Sequence, residues 1–326
     1  MKTVRSLSLA ALALAPALAA HAEVPRVVAD LPAVAALVQQ VMGDLGQPET
    51  LIAAGSDAHH YQLRPSQARS LQQADLLIWI GPEMTPWLDR AGSGLAANAT
   101  ALALLDLPGT HRQDFGASAA HDHEHEHEHE HEHEAESGHD HDESHAEEGH
   151  DHSGLDPHAW LAPGNGRVWL GAIAEALSAR DPENAKTYAA NAAKARDELA
   201  ALDAELKSNL APLAGKPFVV FHDAYGYFTG HYGLTPAIPV SLGDASTPSA
   251  ARLAEIRDRI AAEGAVCAFP EANHDAGLIA TVIEGTGLRQ GAALDPEGSL
   301  LPPGADHYAA TLRSMAKSLT ECLGQG

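Results

Sequence analysis

Apolar residues in this chain fall in short runs of four to seven, separated by stretches in which they recur every three or four positions. The runs at 26–29, 50–54, 76–80, 102–105, 218–221, 237–241, 266–269 and 287–293 predict strands. The stretches between them predict helices, including 32–42, 65–73, 248–262 and 307–323, several opening on Pro just after a loop. Strand–helix alternation of this kind implies an α/β fold with parallel sheets. Between the two sets of strands lies one longer helical stretch. Asp181-Pro182-Glu183 is a good helix start, and the sequence from there to Leu210 has no Gly or Pro until Pro212 stops it. Its 29 positions span about 43 Å at 1.5 Å per residue, enough to run the length of two small domains as a stiff connection.

The pattern breaks at both the beginning and the middle. Residues 1–22 carry Lys2 and Arg5, an apolar run over 7–18 and a closing Ala20-His21-Ala22, which reads as a secretory signal peptide cleaved after Ala22. The run is too short for a membrane anchor, and no other stretch approaches the roughly 20 apolar residues that a span needs. A soluble, periplasmic chain is expected. Residues 121–152 have no periodicity: 12 His and 14 acids alternate with only six small residues. Such a segment has nothing to bury and is expected to be disordered, within a loop of 116–154. Its imidazoles suit Zn, Cu, Ni and Fe, so His121, His123, His125, His127, His129, His131, His133, His139, His141, His145, His150 and His152 form a candidate set of weak metal ligands. A solubilising acidic linker is the alternative, though it has no need of imidazole.

The tract supplies −14 of the formal net charge of −24. The remaining body is moderately acidic without a basic patch, which argues against nucleic acid or anionic membrane as partners. In an oxidising compartment the two cysteines, Cys267 and Cys322, are expected to pair. The loop they close would contribute about 3–4 kcal/mol on a chain-entropy argument.

Three histidines outside the tract stand after predicted strands or at loop–helix junctions. These are His59 in GSDAHHYQLRP, His158 in LDPHAWL, and His222 in FVVFHDAYGYF. In open parallel sheets, ligands bind beyond the carboxyl ends of strands. Taken singly, each is as well read as a loop histidine bonded to a carbonyl. Asp223, beside His222, is either an orienting carboxylate or a helix cap. Glu271, His274, His231, His111 and His307 read as surface residues.

Together with ADLLIWIGPEMTPWL and LDPEG, these segments resemble the metal-binding solute-binding proteins of ABC transporters, in their zinc-uptake, ZnuA-type branch. The resemblance runs in order along the whole mature chain. It implies two βα lobes, 23–180 and 213–326, joined by a rigid helix over 181–212, with one metal in the cleft between them. It implies His59, His158 and His222 as imidazole ligands. The fourth donor stays open between Asp295, a water and a histidine of the tract, with Asp295 favoured; His60 is either an outer gate residue or a plain neighbour of His59. Three imidazoles and one oxygen suit Zn²⁺ better than Mn²⁺. The expected function is capture of Zn²⁺ by a monomer and delivery to an inner-membrane ABC permease, with a periplasmic metallochaperone as a further partner. Two other classes remain. A zinc hydrolase or hydratase would also use three His and an open position, but outside the tract there is no HExxH and no GxSxG. A storage protein would need the tract alone.

Overall fold

A computed structural model describes residues 23–52, 55–59, 61–116, 154–241 and 248–325. The signal segment, His60 and the whole His/acid tract, with its twelve candidate ligands, lie outside these residues.

Each half of the chain builds a four-stranded parallel sheet. The first contains β1 (Val27–Ala29), β2 (Glu49–Thr50), β3 (Leu76–Trp79) and β4 (Thr100–Ala103) in the order β2-β1-β3-β4. The second contains β5 (Phe218–His222), β6 (Ile238–Ser241), β7 (Cys267–Phe269) and β8 (Arg289–Gln290) in the order β6-β5-β7-β8, the same topology repeated. The strands are short and the central ones are buried throughout, as expected of sheets covered on both faces.

The helices are α1 (Pro32–Met42), α2 (Pro65–Gln73), α3 (Pro86–Leu95), α4 (Pro163–Arg180), α5 (Ala185–Leu210), α6 (Gly226–Tyr232), α7 (Ala250–Glu263), α8 (Ala276–Ile283) and α9 (His307–Leu323). The first four begin with Pro in their first turn, where its missing N–H costs nothing. Helix α7 starts two residues later than predicted because the Ser249 side chain accepts the Arg252 N–H. The long connection is one α-helix of 26 residues, about 39 Å, entered through a tight turn at Pro182–Asn184 whose amide the Asp181 carboxylate caps. Strand β4 sits two residues earlier than predicted: Leu104 and Leu105 still donate to Trp79 and Ile80, but both turn fully inward. The last strand shrinks to the exposed edge pair Arg289–Gln290.

Packing divides into three apolar clusters. Helices α2 and α3 cover the outer face of the first sheet, and α7 and α8 that of the second. The largest cluster is continuous through both halves and lies between the sheets in a layer formed by α1, α4, α5 and α9. Helix α9, last in sequence, packs on α1 of the first half and on α5. A disulfide between Cys267 of β7 and Cys322 of α9, with Cα atoms 6.3 Å apart, fastens this helix to the second sheet. Among the described residues no helix is long and apolar enough to cross a membrane.

Candidate metal centre

His222 is the last residue of β5, at the point where the second sheet reverses strand order, since β6 lies on one side of β5 and β7 on the other. This is where open α/β sheets bind ligands. The residue immediately following Phe269-Pro270 on neighbouring β7 is Glu271, and its Oε2 lies 2.7 Å from His222 Nδ1. Tyr225 donates its hydroxyl to the same oxygen at 3.1 Å. With Nδ1 so held, Nε2 faces the cleft.

His158 comes from the first half. Its own backbone N–H donates to Asp156 Oδ1 at 3.0 Å, and its Nδ1 lies 2.7 Å from that oxygen. Asp156 is fixed in turn by its N–H donating to the Gln113 carbonyl, beside an antiparallel bridge between Asp114 and Leu155. His59 sits on a turn in which Asp57 Oδ1 accepts the His59 N–H at 2.8 Å. Buried Ala58 anchors that turn, and its carbonyl accepts the Trp87 indole N–H at 3.1 Å.

The three imidazoles converge. One nitrogen from each of His59, His158 and His222 lies within 4.8 Å of the others, and the Nε2 atoms of His158 and His222 are 3.4 Å apart. Tetrahedral zinc with Zn–N bonds of about 2.1 Å places its ligand nitrogens roughly 3.4 Å from one another. His158 and His222 therefore already stand at the spacing a zinc ion needs, and His59 needs only a small approach. Both buried rings are oriented through carboxylates on their far nitrogens, an arrangement that fixes tautomer and aim in metal sites.

Burial sets the electrostatics. Desolvation, followed by repulsion from His222, holds His158 well below the ordinary imidazole range, so its ring is neutral and able to coordinate. Desolvation also opposes charge on His222, but the Glu271 carboxylate outweighs it and raises that pKa. Desolvation pushes Asp156 up to about 7 against the hydrogen bonds it accepts. Glu297 rises to about 8 through burial and then the nearby Glu271 charge.

Asp295 lies outside the gathered group of three; its Oδ1 accepts the Ser299 N–H and hydroxyl at 2.8 and 3.1 Å and its Oδ2 accepts the Leu300 N–H at 3.0 Å, bonds that fix its loop. Other expectations are corrected. Glu271 is not a surface residue but a buried partner of His222, and it takes the orienting role considered for Asp223. Nor does Asp223 cap α6, whose N-cap position is Tyr225. His307 is also buried, its Nε2 2.7 Å from the Gly298 carbonyl. The one signal that pointed to Glu271 was its place directly past an apolar strand, the same signal that singled out His222.

Residues 27–322 match the family described as ZnuA, zinc-uptake complex component A, periplasmic. The chain is similar to the high-affinity zinc uptake system protein ZnuA of Paracoccus denitrificans, 70% identical over 319 residues that cover 98% of each chain. It is 38% identical to the protein of the same name from Brucella suis, over the full length of both. Among solved structures, a crystal structure of ZnuA superposes with a TM-score of 0.71 at 22% identity, covering 91% of this chain and 98% of the other, a likeness of fold.

Proposed function

Because the chain belongs to the ZnuA family of periplasmic zinc-uptake components, we propose that the cleft at His59, His158 and His222 captures a single Zn²⁺ tightly and yields it to an inner-membrane ABC permease. The family is one of transport proteins, not enzymes, which sets aside the hydrolase alternative. Zn²⁺ is the cargo. The observation that supports the cleft as its seat is the 3.4 Å approach of two buried Nε2 atoms whose Nδ1 atoms are each held by a carboxylate. Such a pair has no structural use for its inward lone pairs except a shared proton or a metal. Three imidazoles favour zinc over manganese, which prefers more oxygen.

The finer assignments belong to the same proposal. Residues 23–180 and 213–326 form two lobes, with 181–212 as the rigid connector, and the mature chain begins after Ala22 and works as a monomer. The His/acid tract leaves the chain between Gly116 and Gly154, whose neighbours Asp114 and Leu155 pair next to Asp156. Its many weak sites raise the metal concentration at the cleft.

Metal stoichiometry on the full chain and on a deletion of residues 121–152 tests this, with Zn²⁺, Mn²⁺ and Cu²⁺ in competition. The deletion is expected to keep one tight Zn²⁺ and lose the weak ones, while His222→Ala does the reverse. Loss of tight binding in the deletion would place the high-affinity site in the tract and refute the cleft.

A further inference from the structure

The helix that follows His222 reaches across to the support of His158. Tyr227 stands in the first turn of α6, shortly after His222 at the end of β5. Its ring is buried, and its hydroxyl bonds to the first half of the chain. That oxygen accepts the Gln113 N–H at 3.0 Å and donates to the Asp156 carbonyl at 3.0 Å. Burial pushes the Tyr227 pKa up, so the hydroxyl keeps the proton it donates. Gln113 and Asp156 are also bonded to each other, the Asp156 N–H donating to the Gln113 carbonyl. One phenol oxygen therefore grips both sides of the paired segment whose Asp156 carboxylate orients His158.

The approach leaves little slack. A Cβ on Gly226, the residue before Tyr227, would lie 2.6 Å from Gln113 Nε2 and 3.2 Å from Asp156 Oδ2, so a side chain there would push the segment away. On the other flank of His158, the Trp160 indole N–H donates to the Pro296 carbonyl at 2.8 Å, and the Tyr308 hydroxyl donates to the Trp160 carbonyl. The second half thus holds the chain just before His158 and just after it. His158 and His222 come from different halves, with their Nε2 atoms 3.4 Å apart. A metal they share is released when that separation grows. The Tyr227 hydroxyl resists such a movement, because Asp156 cannot draw away from α6 without breaking both of its bonds.

We propose that Tyr227 is a positioning residue that sets the rate of metal release, by pinning the Asp156–His158 segment to the helix that follows His222. This rests on the three-histidine reading of the cleft. The effect falls on dissociation, where most affinity differences between related complexes lie.

Release of Zn²⁺ from the loaded full chain into excess chelator tests the assignment, the weak sites of the tract emptying in a fast phase and the cleft in a slow one. Tyr227→Phe keeps the ring and loses only the hydroxyl. Its slow phase is expected to be on the order of 10-fold faster, the factor that two hydrogen bonds are worth, with the association rate unchanged. Tyr188→Phe is the comparator. It deletes an equally buried hydroxyl, one that donates to Asp181 at 2.8 Å at the entry to α5, and is expected to leave the slow phase as it is. An unchanged slow phase in Tyr227→Phe, or an equal acceleration in Tyr188→Phe, overturns the proposal, the second because it would reveal general loosening. His222→Ala separates the two levels of the argument: a slow phase that survives it does not belong to the cleft, and the three-histidine reading itself fails.

Discussion

Replacing Glu271 by Gln removes one charge and leaves the shape of the site intact. Glu271 Oε2 now accepts from His222 Nδ1 at 2.7 Å and from the Tyr225 hydroxyl at 3.1 Å. A glutamine oxygen accepts both, so the ring keeps its aim, but the ligand nitrogen loses the basicity that the carboxylate confers. Losing such an outer partner costs 10–100-fold in metal affinity, or about 1.4–2.7 kcal/mol. The sign of the pH dependence sharpens the expectation. Glu271 holds the His222 pKa above its ordinary 6.5 although burial opposes charge there. Protons therefore compete with Zn²⁺ at His222 at a higher pH in the parent than in Glu271→Gln. As pH falls, the parent loses affinity first and the variant later, so the gap between them is widest near pH 8 and narrows toward pH 6. Chelator-competition titrations of Zn²⁺ at pH 6, 7 and 8 measure it. A ratio that is constant with pH, or no loss at pH 8, would refute a role for Glu271 acting through His222.

Two further outcomes concern stability. Cys267→Ser with Cys322→Ser opens a loop of 55 residues and is expected to cost about 4 kcal/mol, lowering the thermal midpoint by roughly 8–16 °C, with one tight Zn²⁺ retained at 25 °C; an unchanged midpoint in scanning calorimetry would contradict it. Asp30→Ala strands the Leu31 and Ile80 N–H groups that the Asp30 carboxylate accepts at 2.7 and 2.8 Å, a loss of at least about 2 kcal/mol. Burial raises Asp30 from 3.8 to about 7, so the folded chain holds an extra proton between those values and its contribution declines as pH rises through 7. The deficit of the variant in urea melts should therefore shrink from pH 5 to pH 8, and a widening deficit would reverse the assignment.

Much of the site was legible because its donors are marked locally. His222 ends an apolar strand, and His59 and His158 sit in motifs that can be recognised in a line of text. Asp156 was within reach too, two positions before the histidine it orients. Glu271 was not, because its partner lies 49 residues away and the two meet only through the β5–β7 pairing. A sheet order that skips a strand hides such pairs from any reading along the chain. Asp295 was favoured over a water or a histidine of the tract through the motif that holds it, and the hydrogen bonds its oxygens accept from Ser299 and Leu300 were not legible there. The long helix was legible in extent, whereas its entry turn depended on one side-chain cap at Asp181.

The repeated sheet topology also explains why the chemistry is lopsided. The registers Ala29↔Ile78 and Val220↔Phe269 put Leu31 and Ile80 at the places in the first sheet that His222 and Glu271 hold in the second. Leu31 and Ile80 are fully buried, and the N–H groups exposed by the diverging strands are received by Asp30. That strand end is closed with apolar bulk, so the first half has to reach the cleft by loops. His59 arrives on a turn held by Asp57 and by Trp87, and His158 on a segment held by Asp156 and Gln113. One donor thus comes from a rigid strand end and two from turns held by a few hydrogen bonds each. Affinity in such a site depends on the groups that hold the two turns as well as on the imidazoles; Asp57, Asp156 and Trp87 lie inside the segments by which the family is recognised, and Gln113 lies outside them.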